Sequence, residues 1–291
     1  MKPELKDTLF ILLQHLVPQH LLSRLVGRLA ECRTAWVKNL FINTFRKHYG
    51  VDMSEAVQPD PEAYEHFNAF FTRALKPDAR PLDTAPGAVL SPADGAISQL
   101  GKIEHGRIFQ AKGRSYALTT LLGGDPRRAE PFVDGEFATI YLSPRDYHRV
   151  HMPLAGTLKE TVYIPGDLFS VNGTTAEGVE NLFARNERLV TIFETEHGPM
   201  AMVLVGAMIV AGIETVWNGQ VAPLARQPRI LDQFGETTPP QLDKGAEMGR
   251  FKLGSTVILL FPKGRMNWLD SFTAGSKVRM GERLGQISPQ Q

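Results

Sequence analysis

Leucines set the rhythm of the first fifty residues. Leu5, Leu9, Leu12, Leu13 and Leu16 fall at i, i+4, i+7, i+8 and i+11, one face of a helix. Pro18 interrupts the pattern, and Leu21, Leu22, Leu25, Val26 and Leu29 restart it with Arg24 and Arg28 on other faces. A third stripe joins Trp36, Val37, Leu40, Phe41 and Phe45. Residues 5–49 are therefore expected to be helical, and so are residues 61–76, with Tyr64, Phe67, Phe70 and Phe71 on the apolar side. Near residue 88 the texture changes to short apolar runs between glycines. Ala88–Leu90, Ala138–Leu142, Met200–Val205, Met208–Val210 and Thr256–Phe261 read as strands. Ser115–Leu122 fits either a strand or a short helix. The pattern predicts an α+β protein, a β-rich body preceded by an amphipathic helical section.

An apolar stripe with aromatics and flanking Arg and Lys suits a helix lying in a membrane interface. The same stripe also serves a helix packed on its own body or on a second copy of the chain. No apolar run approaches the roughly 18 residues of a membrane span, since Leu9–Leu13 stops at Gln14 and His15. Pro3, Glu4 and Asp7 spoil the basic start of a secretory signal and no small-residue cleavage site follows, so the N-terminus is expected to be retained. With 291 residues, 43% of them hydrophobic and 22% charged, the chain has ample material for one large domain or two small ones. A net charge of +1 argues against a nucleic-acid footprint. Cys32 is the single cysteine, which excludes a disulfide framework and a cysteine-based metal cage.

The candidate chemistry centres on Leu253-Gly254-Ser255-Thr256, at the mouth of a hydrophobic run. Glycine leaves its carbonyl open to attack, and the next residue carries a hydroxyl nucleophile. An activated Ser255 can cut its own chain. Activation needs a base and a group to orient it. His148 and His151 are three apart, which places two imidazoles together on a helical turn but on opposite faces of a strand. His151 is the candidate base. The residues alone leave Asp94, Asp146 and Asp167 open for the orienting carboxylate. No third ligand cluster accompanies the histidine pair, so no metal site is expected.

Three more stretches accompany the Gly254-Ser255 bond: Phe67-Asn68-Ala69-Phe70-Phe71-Thr72-Arg73, Ser91-Pro92-Ala93-Asp94-Gly95, and Tyr141 to Pro153 with its Tyr147-His148-Arg149-Val150-His151 centre. Together, in this order, they resemble the bacterial, membrane-associated type of phosphatidylserine decarboxylase over nearly the whole chain. That resemblance implies a self-processing triad of Asp94, His151 and Ser255, with cleavage between Gly254 and Ser255. It implies a β chain of residues 1–254 and an α chain of 255–291 that stay associated. Ser255 would become a covalent pyruvoyl group, the only cofactor, forming a Schiff base with phosphatidylserine and releasing carbon dioxide and phosphatidylethanolamine. His148 is then the candidate proton donor for decarboxylation. Residues 1–50 would be a segment that associates with an anionic phospholipid bilayer, peripheral on the cytoplasmic side of the cell membrane, and 51–291 the catalytic domain. A homodimer of processed heterodimers is compatible with this reading, and nucleic acid has no part in it. Ile164–Gly173 is expected near the headgroup, and Lys244–Gly249 near the processing bond. Two rival readings use the same residues: a serine hydrolase that stays uncut, and a non-catalytic peripheral lipid-binding protein.

Overall fold

The apolar run that begins at Ser255 becomes an inner strand of a nine-stranded antiparallel sheet. The computed structural model describes residues 5–208, 212–222, 228–233, 238–252 and 255–288. Across the sheet the order is Arg229–Gln233, Gly156–Ile164, Arg188–Thr195, Gly198–Val205, Ser255–Phe261, Glu136–Leu142, Gly95–Lys102 and Lys277–Val278, with Gln241–Leu242 also paired to Gly156–Ile164. Every residue from Ser255 to Phe261 is buried. Successive side chains alternate between faces. Val257, Leu259 and Phe261 enter one apolar cluster, whereas Ile258 and Leu260 enter another. A strand covered on both sides needs apolar residues at every position, which explains the unbroken run.

A second sheet of four strands runs Gly219–Ala222, Gly212–Thr215, Glu247–Lys252 and Arg149–His151. Its Val150, Met152, Met248 and Phe251 share the cluster of Val257 and Leu259. The chain thus leaves the small sheet at Lys252 and enters the large one at Ser255. Gly95 opens its strand where a side chain would run into the Tyr141 carbonyl oxygen, so only glycine lets the strands approach this closely. The ambiguous stretch around residue 118 uses both options, a strand at Arg114–Ala117 and a short helix at Leu118–Leu121.

The helical section comprises α1 (Leu5–Leu16), α2 (Gln19–Ala30) and α3 (Ala35–Tyr49). Pro18 separates α1 from α2, which meet at a bend of 85°. Among the described residues no single helix is long and apolar enough to cross a membrane. The buried residue of α1 is Gln14, only 3% exposed, while Leu5, Leu9, Leu12, Leu13 and Leu16 face outward. Polar bonds dock these helices: Ser170 N–H donates to Gln14 Oε1 at 2.8 Å and Leu168 N–H to Gln19 Oε1 at 2.6 Å. Burying a leucine stabilises by about 1.5–3 kcal/mol. The outward leucines gain only part of this within the described chain, and Leu21, Leu25, Leu29, Trp36 and Leu40 extend the exposed apolar surface.

The third stripe divides. Trp36 and Leu40 are exposed, but Phe41 stacks on Phe67 at 4.1 Å and Phe45 packs edge-on to Phe67, Phe70 and Phe71. The helix expected over 61–76 is also shorter than its pattern. It resolves into a single turn at Pro61–Ala63 and α4 (Phe67–Phe71). His66 is extended, and its ring accepts the Ala69 N–H at 3.1 Å, which starts α4 afresh. The three phenylalanines of α4 are held by aromatic packing against α3, not by a long helical face.

Candidate active site

Ser255 opens its strand directly opposite Leu142, and Thr256 pairs with Val205. By alternation Ser255 points to the same face as Val257, the face shared with the small sheet that carries His151. Its hydroxyl is fully buried, and Oγ has no hydrogen-bond partner among the described residues. A buried, unpaired hydroxyl costs free energy. Tyr116, Thr139, Thr161 and Thr256 share that state, and Ser255 differs from them in standing at the start of its strand directly after Gly254. Leu253 and Gly254 lie outside the described residues, as do Ile209 and Val210 of the expected Met208–Val210 strand.

His151 sits at the end of its small-sheet strand, opposite Glu247. Nδ1 lies 2.8 Å from the Gly245 carbonyl oxygen, which can only accept. The proton is therefore on Nδ1, and Nε2 presents its lone pair, met by the Tyr147 hydroxyl at 3.0 Å. Burial lowers the affinity of this ring for a second proton, although the Gly245 carbonyl and the Glu247 and Asp94 charges oppose the shift. The ring is therefore held neutral, with Nε2 able to accept a proton. Burial likewise pushes the Tyr147 hydroxyl up to about 12, so it remains a donor.

Asp94 is near but otherwise engaged. Its carboxylate takes the Arg80 guanidinium side-on, Nε to Oδ1 at 2.8 Å, and the Met280 N–H at 2.9 Å. Arg80 also pairs with Glu55 at 2.8 Å. The expected carboxylate-to-imidazole bond is thus replaced by a backbone carbonyl, that of Gly245. The loop carrying Asp94 nonetheless packs on the histidine strand, since His151 N–H donates to the Pro92 carbonyl at 2.8 Å. The other two carboxylates stand apart from the imidazole: Asp146 accepts from Ser143 at 2.7 Å, and Asp167 pairs with Arg185 at 2.9 Å.

His148 is fully buried, with Nδ1 held by the Asp146 carbonyl at 2.8 Å and its ring 4.0 Å from that of Phe71. Nε2 is buried and unpaired among the described residues, like the Ser255 hydroxyl. Burial drives its pKa down to about 3, so the ring is neutral at pH 7 and accepts a proton before it can deliver one. The unfolded chain binds a proton near pH 6.5. Stability held by this neutral ring is present above that value and lost as pH falls from about 6.5 toward 3, by about 1.4 kcal/mol per pH unit. Urea midpoints measured across this range should show a slope that His148→Gln flattens by about one proton.

Among the described residues no group of three or more His, Cys, Asp or Glu is arranged to hold a metal ion. A cavity of about 560 Å³ lies between α2 and the small sheet, with Lys252, Gln220 and Leu168 in its wall. Leu168 comes from the Ile164–Gly173 loop, which α1 and α2 hold through Gln14 and Gln19. Gly245, in the Lys244–Gly249 stretch, reaches the site through its carbonyl. Arg80 and Tyr147 were not singled out by sequence reasoning. Tyr147 lay inside a quoted motif, four residues before the histidine it meets, whereas Arg80 lay outside every motif.

A family model described as phosphatidylserine decarboxylase matches residues 67–286, and a second, described as PSD, matches residues 9–50. The phosphatidylserine decarboxylase proenzyme of Pseudomonas fluorescens is 66% identical over 283 residues, covering 97% of this chain and 98% of the relative. That of Azotobacter vinelandii is 64% identical over 285 residues, 98% of this chain and 100% of the relative. That of Stutzerimonas stutzeri is 64% identical over 286 residues, 98% and 96% of the two chains.

Proposed function

The chain belongs to the phosphatidylserine decarboxylase family, and from that premise we propose that it matures by cutting itself before Ser255. It is a carboxy-lyase that converts phosphatidylserine to phosphatidylethanolamine and carbon dioxide. The observation that carries the maturation reading is the Ser255 hydroxyl, buried and unpaired at the start of an inner strand on the histidine-bearing face.

In the proposed processing, Oγ attacks the Gly254 carbonyl carbon and the acyl group moves from nitrogen to oxygen. His151 takes the hydroxyl proton at Nε2, which requires Tyr147 to yield that lone pair or pass the proton on. The Gly245 carbonyl fixes the tautomer, and the nearby Asp94 charge favours the protonated ring. Elimination of the ester frees a Gly254 carboxylate and leaves dehydroalanine at 255. Water then releases ammonia and leaves a pyruvoyl group. That group supplies a ketone which takes the substrate amine and an adjacent carbonyl that accepts the electrons freed with carbon dioxide. Neighbours on both sides of the Ser255 strand hold the new terminus in the sheet, so chains 1–254 and 255–291 stay together. A second reading exchanges the histidines. It is favoured by the unpaired Nε2 of His148, which has a lone pair to offer while that of His151 is occupied.

Residues 1–50 are proposed as the membrane-associating segment and 51–291 as the catalytic domain. The outward leucines of α1 and α2 with Trp36 and Leu40 form an apolar surface suited to the bilayer interface on the cytoplasmic side. Replacing Leu12, Leu25 and Leu40 with Asp should release the protein from anionic vesicles and lower activity on bilayer substrate at least tenfold. Activity on a soluble short-chain lipid should fall much less. Phe41 is left unchanged because it belongs to the aromatic core. Equal loss on both substrates with vesicle binding intact would assign the surface to packing between copies. The function itself is tested by trapping. Hydroxylamine or cyanoborohydride with substrate should block carbon dioxide release and add mass to the small chain. Turnover untouched by ketone reagents would sink the pyruvoyl reading.

A further inference from the structure

The sheet rung that carries Ser255 ends in a buried carboxyl group. Thr256, Val205 and Arg188 stand side by side on one rung. One step beyond, Gly206 N–H donates to the Glu187 carbonyl at 2.8 Å, and continuing the register of Thr256 with Val205 by one residue brings Ser255 to the same rung. Glu187 therefore lies about two strand spacings, or roughly 10 Å, from Ser255 and on the same face. It is 5% exposed, and the Tyr163 hydroxyl donates to its Oε2 at 2.9 Å. No ion pair involves it among the described residues. Burial raises its pKa above the ordinary carboxyl value.

Glu187 lines the 560 Å³ cavity beneath α2 together with Arg24, Arg28 and Lys252. Arg24 and Arg28 are exposed one turn apart on α2, and neither has an ion pair among the described residues. Lys252 is already engaged, by Glu214 at 2.6 Å and Glu31 at 3.7 Å. His20 and Glu31 also line the cavity, with Glu31 facing Lys252. Glu187 is thus the buried carboxyl on the Ser255 rung. Arg24 and Arg28 are the cations without an ion pair among the described residues, on the helix whose Leu21, Leu25 and Leu29 face outward as the proposed bilayer surface. Phosphatidylserine has a matching polarity. Its phosphodiester is an anion at the level of the bilayer interface, and its ammonium group lies beyond, next to the carbon that reacts.

We propose that this cavity is the headgroup site, in which Arg24 and Arg28 hold the phosphodiester and Glu187 receives the ammonium group, aiming the amine at residue 255. The assignment rests on the decarboxylase reading and adds the residues that orient its substrate. The arginines suit the phosphate better than the serine carboxylate. A cation on the carboxylate would stabilise the ground state more than a transition state in which that charge is dispersing, whereas the phosphate charge persists throughout. Glu187 serves as a positioning residue for the amine, and its raised proton affinity suits it to relieve the ammonium of the proton that blocks attack.

Binding can be read without any ketone in full-length Ser255→Ala, by calorimetry with dihexanoylphosphatidylserine and with dihexanoylphosphatidylethanol, which has the phosphodiester but neither amine nor carboxylate. Ser255→Ala should bind both. Adding Arg24→Gln and Arg28→Gln should weaken both by about tenfold or more. Adding Glu187→Gln, which keeps the shape and the Tyr163 contact, should weaken the serine lipid by a similar factor and leave the ethanol lipid unchanged. Equal weakening of both lipids by Glu187→Gln would make it a packing residue and overturn the assignment. So would an arginine effect seen only on anionic vesicles, an arginine effect confined to the serine lipid, or no binding of either lipid to Ser255→Ala. The decarboxylase reading fails separately, by wild-type protein that never splits.

Discussion

Ser255→Ala should fold, remain a single chain of 291 residues, and show no decarboxylation above background, a loss on the order of 10⁴-fold or more. The change removes one oxygen from a site where that oxygen makes no hydrogen bond, so the packed strand loses little. Stability by urea midpoint should stay within about 1 kcal/mol of the uncut precursor. In the proposed mechanism the loss is total because one residue supplies both the hydroxyl that cuts the chain and the carbon skeleton of the ketone. Substantial turnover by uncut Ser255→Ala would remove Ser255 from the mechanism.

His151→Ala should slow maturation by about 10²–10⁴-fold, the usual worth of a positioned general base. The ring has its lone pair on Nε2, met by the Tyr147 hydroxyl, and its proton fixed on Nδ1 by Gly245, so a proton from Ser255 ends on Nε2 directly or through Tyr147. His148→Ala should still cleave at least partly but decarboxylate poorly. Because His148 is fully buried against Phe71, its alanine variant also leaves a cavity. A urea midpoint must accompany the kinetics, with His148→Gln as the better-filled control. If His148→Ala blocks cleavage while His151→Ala cleaves normally, the exchanged reading holds, consistent with the unpaired Nε2 of His148.

Local chemistry made the candidate cleavage bond legible. A glycine followed by Ser-Thr and five apolar residues already describes a candidate nucleophile seated at the mouth of a buried strand. The apolar spacing predicted three N-terminal helices and the break at Pro18, because a period of 3.6 is written within single segments. What the spacing left open is which stripe faces what. Leu40 and Phe41 are neighbours in one stripe, yet Leu40 is exposed and Phe41 stacks on Phe67, a partner more than twenty residues away. The short α4 was hidden for a related reason, since its aromatic spacing mimics a longer helix and the His66 cap that restarts it is conformational.

The site shows the same division. Asp94, His151 and Ser255 were named from motifs, but their hydrogen-bond partners come from distant parts of the chain. Arg80 holds Asp94, the Gly245 carbonyl holds His151, and neither partner is marked by residue spacing. Glu187 was invisible for the strongest version of this reason. It joins Ser255 only through the register of two intervening strand pairings.

The most direct measurement is one intact mass spectrum of the purified wild-type protein. The account predicts two species, a chain of residues 1–254 and a small chain of roughly 4 kDa. The small chain should be lighter by one ammonia than residues 255–291 with an intact serine, and should react with hydroxylamine. A fully active protein that appears as one uncut chain, with serine at 255, would contradict it.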